Sequence, residues 1–319
     1  MEARLIPTNA LIGLVTRDGL NPPVPADAGL QLVGLEIPCV ALDGVVVVDV
    51  VLANPDTGHL VACEAKSGSN VEVAQARRYQ ALDARTVVRS AFVTLRQRVD
   101  PRLEVIYAAM AENRERMLLS LSEACVQFPL ITVSRKEIAL DNAEAASRML
   151  QDAFDAPLSL AAPPPAFIPF DHESSVKEVR PHVNAALVAA LPERAPMISI
   201  TSLTERAAPH YVLYANKAQG RLRTLVGRAA KEIAVSDPAT FEYNPPKGNH
   251  DGFVKFLRNP EENDPRGRTQ GYQRLARSGQ RTVRRRPEAR GQMSLLDELD
   301  KADISEESAA MEEEEGDGL

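Results

Sequence analysis

Short apolar runs alternate with polar, helix-patterned stretches through roughly the first 140 residues. The runs are GVVVVDVVLA (44–53), HLVACEAK (59–66), TVVRSAFVTL (86–95), LEVIYAAM (103–110) and FPLITVS (128–134). Each is short and rich in β-branched or aromatic residues, so each reads as a strand. NVEVAQARRYQALDA (70–84) and ENRERMLLSLSEAC (112–125) lie between them and read as helices. The alternation predicts an α/β domain over residues 1–150, with a mixed central sheet flanked by helices. DAPLSLAAPPPAFIPF (155–170) carries the cluster Pro163 to Pro165, and a linker over 151–170 follows from it.

Residues 171–258 read differently. Helical segments run through PHVNAALVAAL, SLTERAAPHYVLYA and AQGRLRTLVGRAAKEIA, and a hairpin pattern follows in TFEYNPPKGNHDGFVKFLR. Three helices and a hairpin are the outline of a winged-helix-like DNA-binding domain. Arg221, Arg223, Arg228 and Lys231 on the third helix suit a DNA-contacting role. A small helical domain with solvated basic residues gives the same pattern. From residue 259 the chain is polar and reads as a disordered tail, basic and then acidic.

Composition narrows the classes. Apolar residues make up 44% of the chain, enough for real cores although there is no Trp. No apolar run is long enough to cross a membrane, and the first residues lack the pattern of a secretion signal. Cys39, Cys63 and Cys125 are odd in number and have no metal-ligand spacing, so reduced thiols in a cytoplasmic protein are expected. The net charge of −7 conceals a segregation. Residues 266–290 hold nine arginines and one acid, while 297–317 hold eleven acids and one lysine. Such a basic block can grip phosphates, and the acidic tail can fold back on it as a brake.

Candidate chemistry comes from the charges set among the apolar runs. Asp49 interrupts a valine run, and Glu64 and Lys66 end the next one. Buried charges are costly unless paired or bound to a metal. NPDTG between the runs is a turn signal, with Pro55 and Gly58 suited to a tight loop. If Asn54 pairs with His59, Asp49 comes opposite Glu64, and Glu64 and Lys66 share a face away from Cys63 and Ala65. Two carboxylates on one patch suit Mg²⁺, with Mn²⁺ as the alternative, and the Ala65 carbonyl can add a ligand. A metal-bound water is a usable nucleophile, and Lys66 can orient it or stabilise the transition-state charge. The bland reading is a solvated sheet end with an incidental ion pair.

Asp49, fourteen residues, then Glu64-Ala65-Lys66 resembles the active-site hairpin of the PD-(D/E)XK nuclease superfamily. QARRY places Gln75 and Tyr79 four residues apart on one helical face, similar to the Gln-x-x-x-Tyr element of RecB-like members. The resemblance implies a restriction-endonuclease-like fold and metal-dependent hydrolysis of DNA phosphodiesters. It implies Asp49, Glu64 and Ala65 as metal ligands, Lys66 assisting the water, and Gln75 and Tyr79 contacting substrate. Many members add an upstream acidic residue, for which Glu2 and Glu36 are the candidates. The chain's bias sharpens the reading, because Lys66 is the only lysine among the first 135 residues, against twelve arginines. A compact ammonium is not interchangeable with a guanidinium.

In the tail, Gln292-Met293-Ser294-Leu295-Leu296 resembles the peptide with which bacterial replication and repair proteins bind the sliding clamp. Gln292, Leu295 and Leu296 would be its anchors; a short helix capped by Ser294 is the plainer reading. The expectation is therefore a Mg²⁺-dependent deoxyribonuclease serving phage defence, a mobile element or DNA repair. Its rivals are a non-catalytic DNA-binding regulator and a clamp-tethered accessory protein. RNA substrates and homodimers also fit. With no nucleotide-binding loop in the sequence, any ATP-driven step needs an ATPase partner.

Overall fold

A computed structural model of the protein describes residues 2–17, 21, 24–163, 165–191, 195–248 and 250–257. The chain starts with a helix, α1 (Ile6–Val15), that carries Pro7 in its first turn, where a missing N–H breaks no helical bond. Six of its ten residues are buried, including the polar Asn9. A helix covered nearly all round lacks the one-sided periodicity that marks helices in a sequence. A short α2 (Val24–Asp27) follows.

The hairpin of β1 (Gln31–Ala41) and β2 (Gly44–Asn54) opens a seven-stranded mixed sheet. β3 (His59–Lys66) returns antiparallel to β2, with Asn54 paired to His59 as the turn residues predict. Gly58 closes that turn at φ 72°, and a Cβ there would collide with Val99 and the Asp100 carbonyl. The Asn54 side chain caps the loop by accepting the N–H groups of Asp56 and Thr57. Then α3 (Val73–Gln80) and α4 (Ala84–Ser90) lead to β4 (Arg102–Met110), parallel to β3. After α5 (Arg114–Glu123), β5 (Leu130–Val133) is parallel to β4, and β6 (Glu137–Asp141) and β7 (Leu158–Ser159) close the sheet antiparallel, with α6 (Arg148–Ala153) between them. Sheet order follows chain order.

One expected strand is corrected. Residues 86–95 begin inside α4, because Asp83 caps that helix by accepting the Thr86 N–H. The other four runs are strands. β1 and β6 carry no strong alternation and were not anticipated.

Helices cover both faces. Ala76, Tyr79, Val87, Met117 and Leu121 of α3 to α5 pack on one face against Val48, Val51 and Leu60. On the other, α1 lies against Val50, Leu52, Val61 and Ile131. That second core continues without a break into α7 (Val176–Ala190), α8 (Ile200–Ala207) and α9 (Asn216–Ser236). Three short antiparallel strands complete this part: β8 (Met197–Ser199), β9 (Phe241–Asn244) and β10 (Phe253–Phe256), in the order β8-β10-β9. β9 and β10 form the expected hairpin, and β8 is an addition. α7 starts before Pro181, at a capping box made by Ser175 and Glu178.

Residues 151–170, expected as an extended spacer, hold the end of α6, the strand β7 and the buried Ile168 and Phe170. Asn9, fully buried, ties this segment down: its Nδ2 donates to the Leu5 and Ile168 carbonyls, and its Oδ1 accepts the Ile168 N–H at 2.7 Å. The expected disordered tail, 259–319, lies outside the described residues.

Candidate functional site

Glu64 is the most enclosed charge on the hairpin, only 3% exposed. Its strand turns it toward α3, whose i, i+4 spacing delivers two partners at once. Gln75 Nε2 donates to Glu64 Oε1 at 2.8 Å, and the Tyr79 hydroxyl donates to Glu64 Oε2 at 2.6 Å. Lys66 Nζ stands 2.6 Å from Glu64 Oε1 and donates to Gln75 Oε1 at 2.8 Å. Glu64, Lys66, Gln75 and Tyr79 thus form one closed network. The Tyr79 hydroxyl also lies 3.1 Å from the Val47 carbonyl, which fastens α3 to β2. Burial, then the nearby Glu64 and Asp49, holds that phenol well above its ordinary pKa, so it stays a donor.

Asp49 joins this network differently from the expectation. Val46 and Val48 pack on the α3 side of the sheet, whereas Val50 and Leu52 pack on the α1 side, so the alternation of β2 reverses at Asp49. The neighbouring strand reverses at the same level, between Leu35 and Ile37, where Glu36 adopts a left-handed φ of 50°. The regular β2–β3 register accordingly stops at Val50 with Cys63. Asp49 does not face Glu64 squarely across a flat patch; its Oδ2 accepts the Ala65 N–H at 2.8 Å, in the position of a strand partner. Burial first, and then Glu64, pushes the Asp49 carboxyl well above the usual range, while the Ala65 N–H and Lys66 act against that shift.

Beside Asp49 lies a cavity of about 360 Å³ that includes Ala65 and Ser67 in its lining but neither Glu64 nor Lys66. Arg4, Glu36, Asp171, His172, Glu173 and Arg221 also line it. Arg4 forms a two-pronged pair with Asp171, donates to Glu2 Oε2 at 2.7 Å, and lies 3.5 Å from Glu173. Those hydrogen bonds hold the Asp171 carboxyl below its ordinary range against the effect of burial, the largest single influence. His172 Nδ1 is 3.0 Å from Glu36 Oε1, and this contact raises the pKa of the imidazole. Of the two upstream acids considered, Glu36 therefore reaches the cavity, while Glu2 is spent on Arg4 and on the Ser174 hydroxyl, which it accepts.

A fit for Mg²⁺ can be judged from the donors. A carboxylate offers about four lone-pair sites, and three donors occupy Glu64, leaving one. Asp49 gives one bond to Ala65 and borders the cavity. Ala65 lines the same cavity, beside the carboxyl that takes its N–H. Among the described residues no group of three or more His, Cys, Asp and Glu side chains is arranged to hold a metal. A cation that takes one or two carboxylates and keeps its waters fits these donors.

The four basic residues expected to contact DNA divide. Arg223, Arg228 and Lys231 line a groove between α9 and the β9–β10 hairpin, together with His250 and Asp251, whereas Arg221 lines the Asp49 cavity. Nothing in the sequence separated them, because the division depends on where α9 docks. Glu36 was one of two candidate acids, but its left-handed backbone has no sequence signature in a non-glycine residue. His59, at the start of β3, pairs with Glu104 at 3.0 Å. Gln292, Leu295 and Leu296 lie outside the described residues. Among the described residues no helix is long and apolar enough to cross a membrane.

A family model, the MJECL32 domain, matches residues 6–168. The matched span contains α1, the seven-stranded sheet and every member of the hairpin network, and it ends before α7. No curated protein and no solved structure matches the chain.

Proposed function

The chain belongs to the MJECL32 domain family, and we propose that it is a metal-dependent nuclease that hydrolyses DNA phosphodiester bonds. The observation that carries this reading is the closed network of Glu64, Lys66, Gln75 and Tyr79, with Asp49 hydrogen-bonded to Ala65 at its edge. A structural ion pair needs no such set of donors converging on one buried carboxylate, beside an aspartate that lines a cavity. The arrangement resembles the PD-(D/E)XK hairpin with its Gln-x-x-x-Tyr helix, and that likeness supports the reading of a restriction-endonuclease-like fold.

Asp49, the spare lone pair of Glu64 and the Ala65 carbonyl would hold Mg²⁺ or Mn²⁺. The ion would supply a Lewis acid and a water acidic enough to ionise near neutral pH. Lys66, fixed by Gln75, offers positive charge to the phosphate as its negative charge builds. Tyr79, which is buried, and Gln75 keep Glu64 in one rotamer, so these two residues position the site from behind it.

DNA recruitment falls to α7–α9. Their connectivity of helix, strand, helix, helix and two strands, with the first strand beside the last, supports a winged-helix reading. The exposed Arg223, Arg228 and Lys231 beside the hairpin supply the basic groove such a domain needs.

The test is plasmid nicking by the purified full chain with Mg²⁺, Mn²⁺ or EDTA. Metal-dependent cutting is expected, abolished by Asp49→Ala and by Lys66→Ala. Cutting in EDTA, or full activity in Lys66→Ala, would sink the proposal. DNA binding without cutting in all three proteins would favour a DNA-binding regulator.

A further inference from the structure

Seven acidic or basic side chains line the Asp49 cavity: Arg4, Glu36, Asp49, Asp171, His172, Glu173 and Arg221. Five of them satisfy one another. Arg4 is committed to Asp171 and Glu173, and His172 to Glu36. The remaining two have no ion-pair partner among the described residues. They are Asp49, whose one hydrogen bond among the described residues is to a backbone N–H, and Arg221, which is exposed and makes no hydrogen bond among them. An uncommitted carboxyl group and an uncommitted guanidinium border the same space.

We propose that Arg221 is a phosphate-binding residue of this cleft, so that α9 completes the site whose acids come from the sheet. The substrate class, a nucleic-acid phosphodiester, rests on the nuclease reading; the anion site itself rests on the geometry. A guanidinium meets phosphate oxygens with two parallel N–H donors, and that fork is available only where no carboxylate already fills it. Arg4 is excluded by this criterion because Asp171 occupies its fork. Asp49 on the opposite chemistry is suited to a cation, and a phosphodiester is a ligand with oxygens enough to meet both.

The placement of α9 gives the proposal a second consequence. Arg221 faces the cleft, while Arg223, Arg228 and Lys231 border the groove by the β9–β10 hairpin. One continuous helix of 21 residues bears both sets. Backbone held in the groove is therefore set at a fixed distance from the phosphate held in the cleft.

The experiment is calorimetric titration of the full chain with 5′-phosphorylated thymidine dinucleotide in EDTA at low salt. The wild type should bind, and Arg221→Ala should bind roughly 10- to 100-fold more weakly, with Arg221→Lys in between. The melting temperature should not move, because Arg221 is exposed and unpaired. Equal affinity in wild type and Arg221→Ala, or no binding by wild type, overturns the proposal. A parallel single-turnover cleavage assay with Mg²⁺ and saturating plasmid separates the two readings. A wild type that never cuts, yet binds the dinucleotide through Arg221, leaves the anion site standing and removes the nuclease. A wild type that cuts, with Arg221→Ala equal to it in rate and in dinucleotide affinity, does the reverse.

Discussion

The cleft beside Asp49 and the groove along α9 hold charge in opposite ways. In the cleft most charges are partly buried and tied to a named partner, as with Arg4 and Asp171 or His172 and Glu36. In the groove Arg223, Arg228 and Lys231 are exposed and have no ion-pair partner among the described residues, and the single acid, Asp251, accepts the Thr201 N–H at 2.8 Å. Paired, desolvated charges fix geometry, and free, solvated ones attract a polyanion without fixing it. On the nuclease proposal the first arrangement would serve a reaction centre and the second a landing surface, and α9 borders both.

The largest expected effect attacks the rigidity of the cleft. Asn9→Leu would strand the N–H and C=O of Ile168, a residue of the cavity wall, in an apolar core. Each stranded group costs about 1–3 kcal/mol, so chemical denaturation should show a loss of roughly 3 kcal/mol. A loss near zero would mean that the wall does not depend on this tie. Next comes Tyr79→Phe, which removes a donor from Glu64 while keeping the ring packed. Single-turnover cleavage should fall roughly tenfold or more, the value of a hydrogen bond to a charged group. An unchanged rate would show that the network is packing alone.

A smaller effect is expected in the groove. Lys231→Ala should lower DNA affinity alike for all sequences and flatten the plot of log affinity against log salt by roughly one unit. A loss confined to some sequences would mean that Lys231 reads bases. The smallest effect concerns pH. Glu36 raises the pKa of His172, so the pair stabilises the fold fully below the ordinary histidine pKa. That contribution disappears as pH climbs through the raised value. The gap in denaturation midpoint between wild type and His172→Gln should thus be widest near about pH 5.5 and close on the alkaline side. A gap that widens with pH would contradict the pairing.

Much of the hairpin was legible beforehand because its signals are local. NPDTG set the register, and the spacing of Gln75 and Tyr79 placed both on the side that Glu64 faces. The reversal at Asp49 was not legible, since alternation assumes a regular strand and two strands depart from it together. TVVRSAFVTL misled because β-branched content outweighed a single capping aspartate, although Asp83 was there to be read. α1 escaped because it is covered on nearly every side, and the split between Arg221 and its neighbours depends on docking that no local pattern encodes.

The core shared by the sheet and α7–α9 also constrains how such a gene can be rearranged. Val183, Leu187, Leu222 and Val226 are buried in the same cluster as Leu11, Val50 and Ile131. A reading frame broken near codon 150 would leave the α1 side of the sheet bare and sticky. Any chain that pairs the matched span 6–168 with a different sequel must bring another apolar cover for that face.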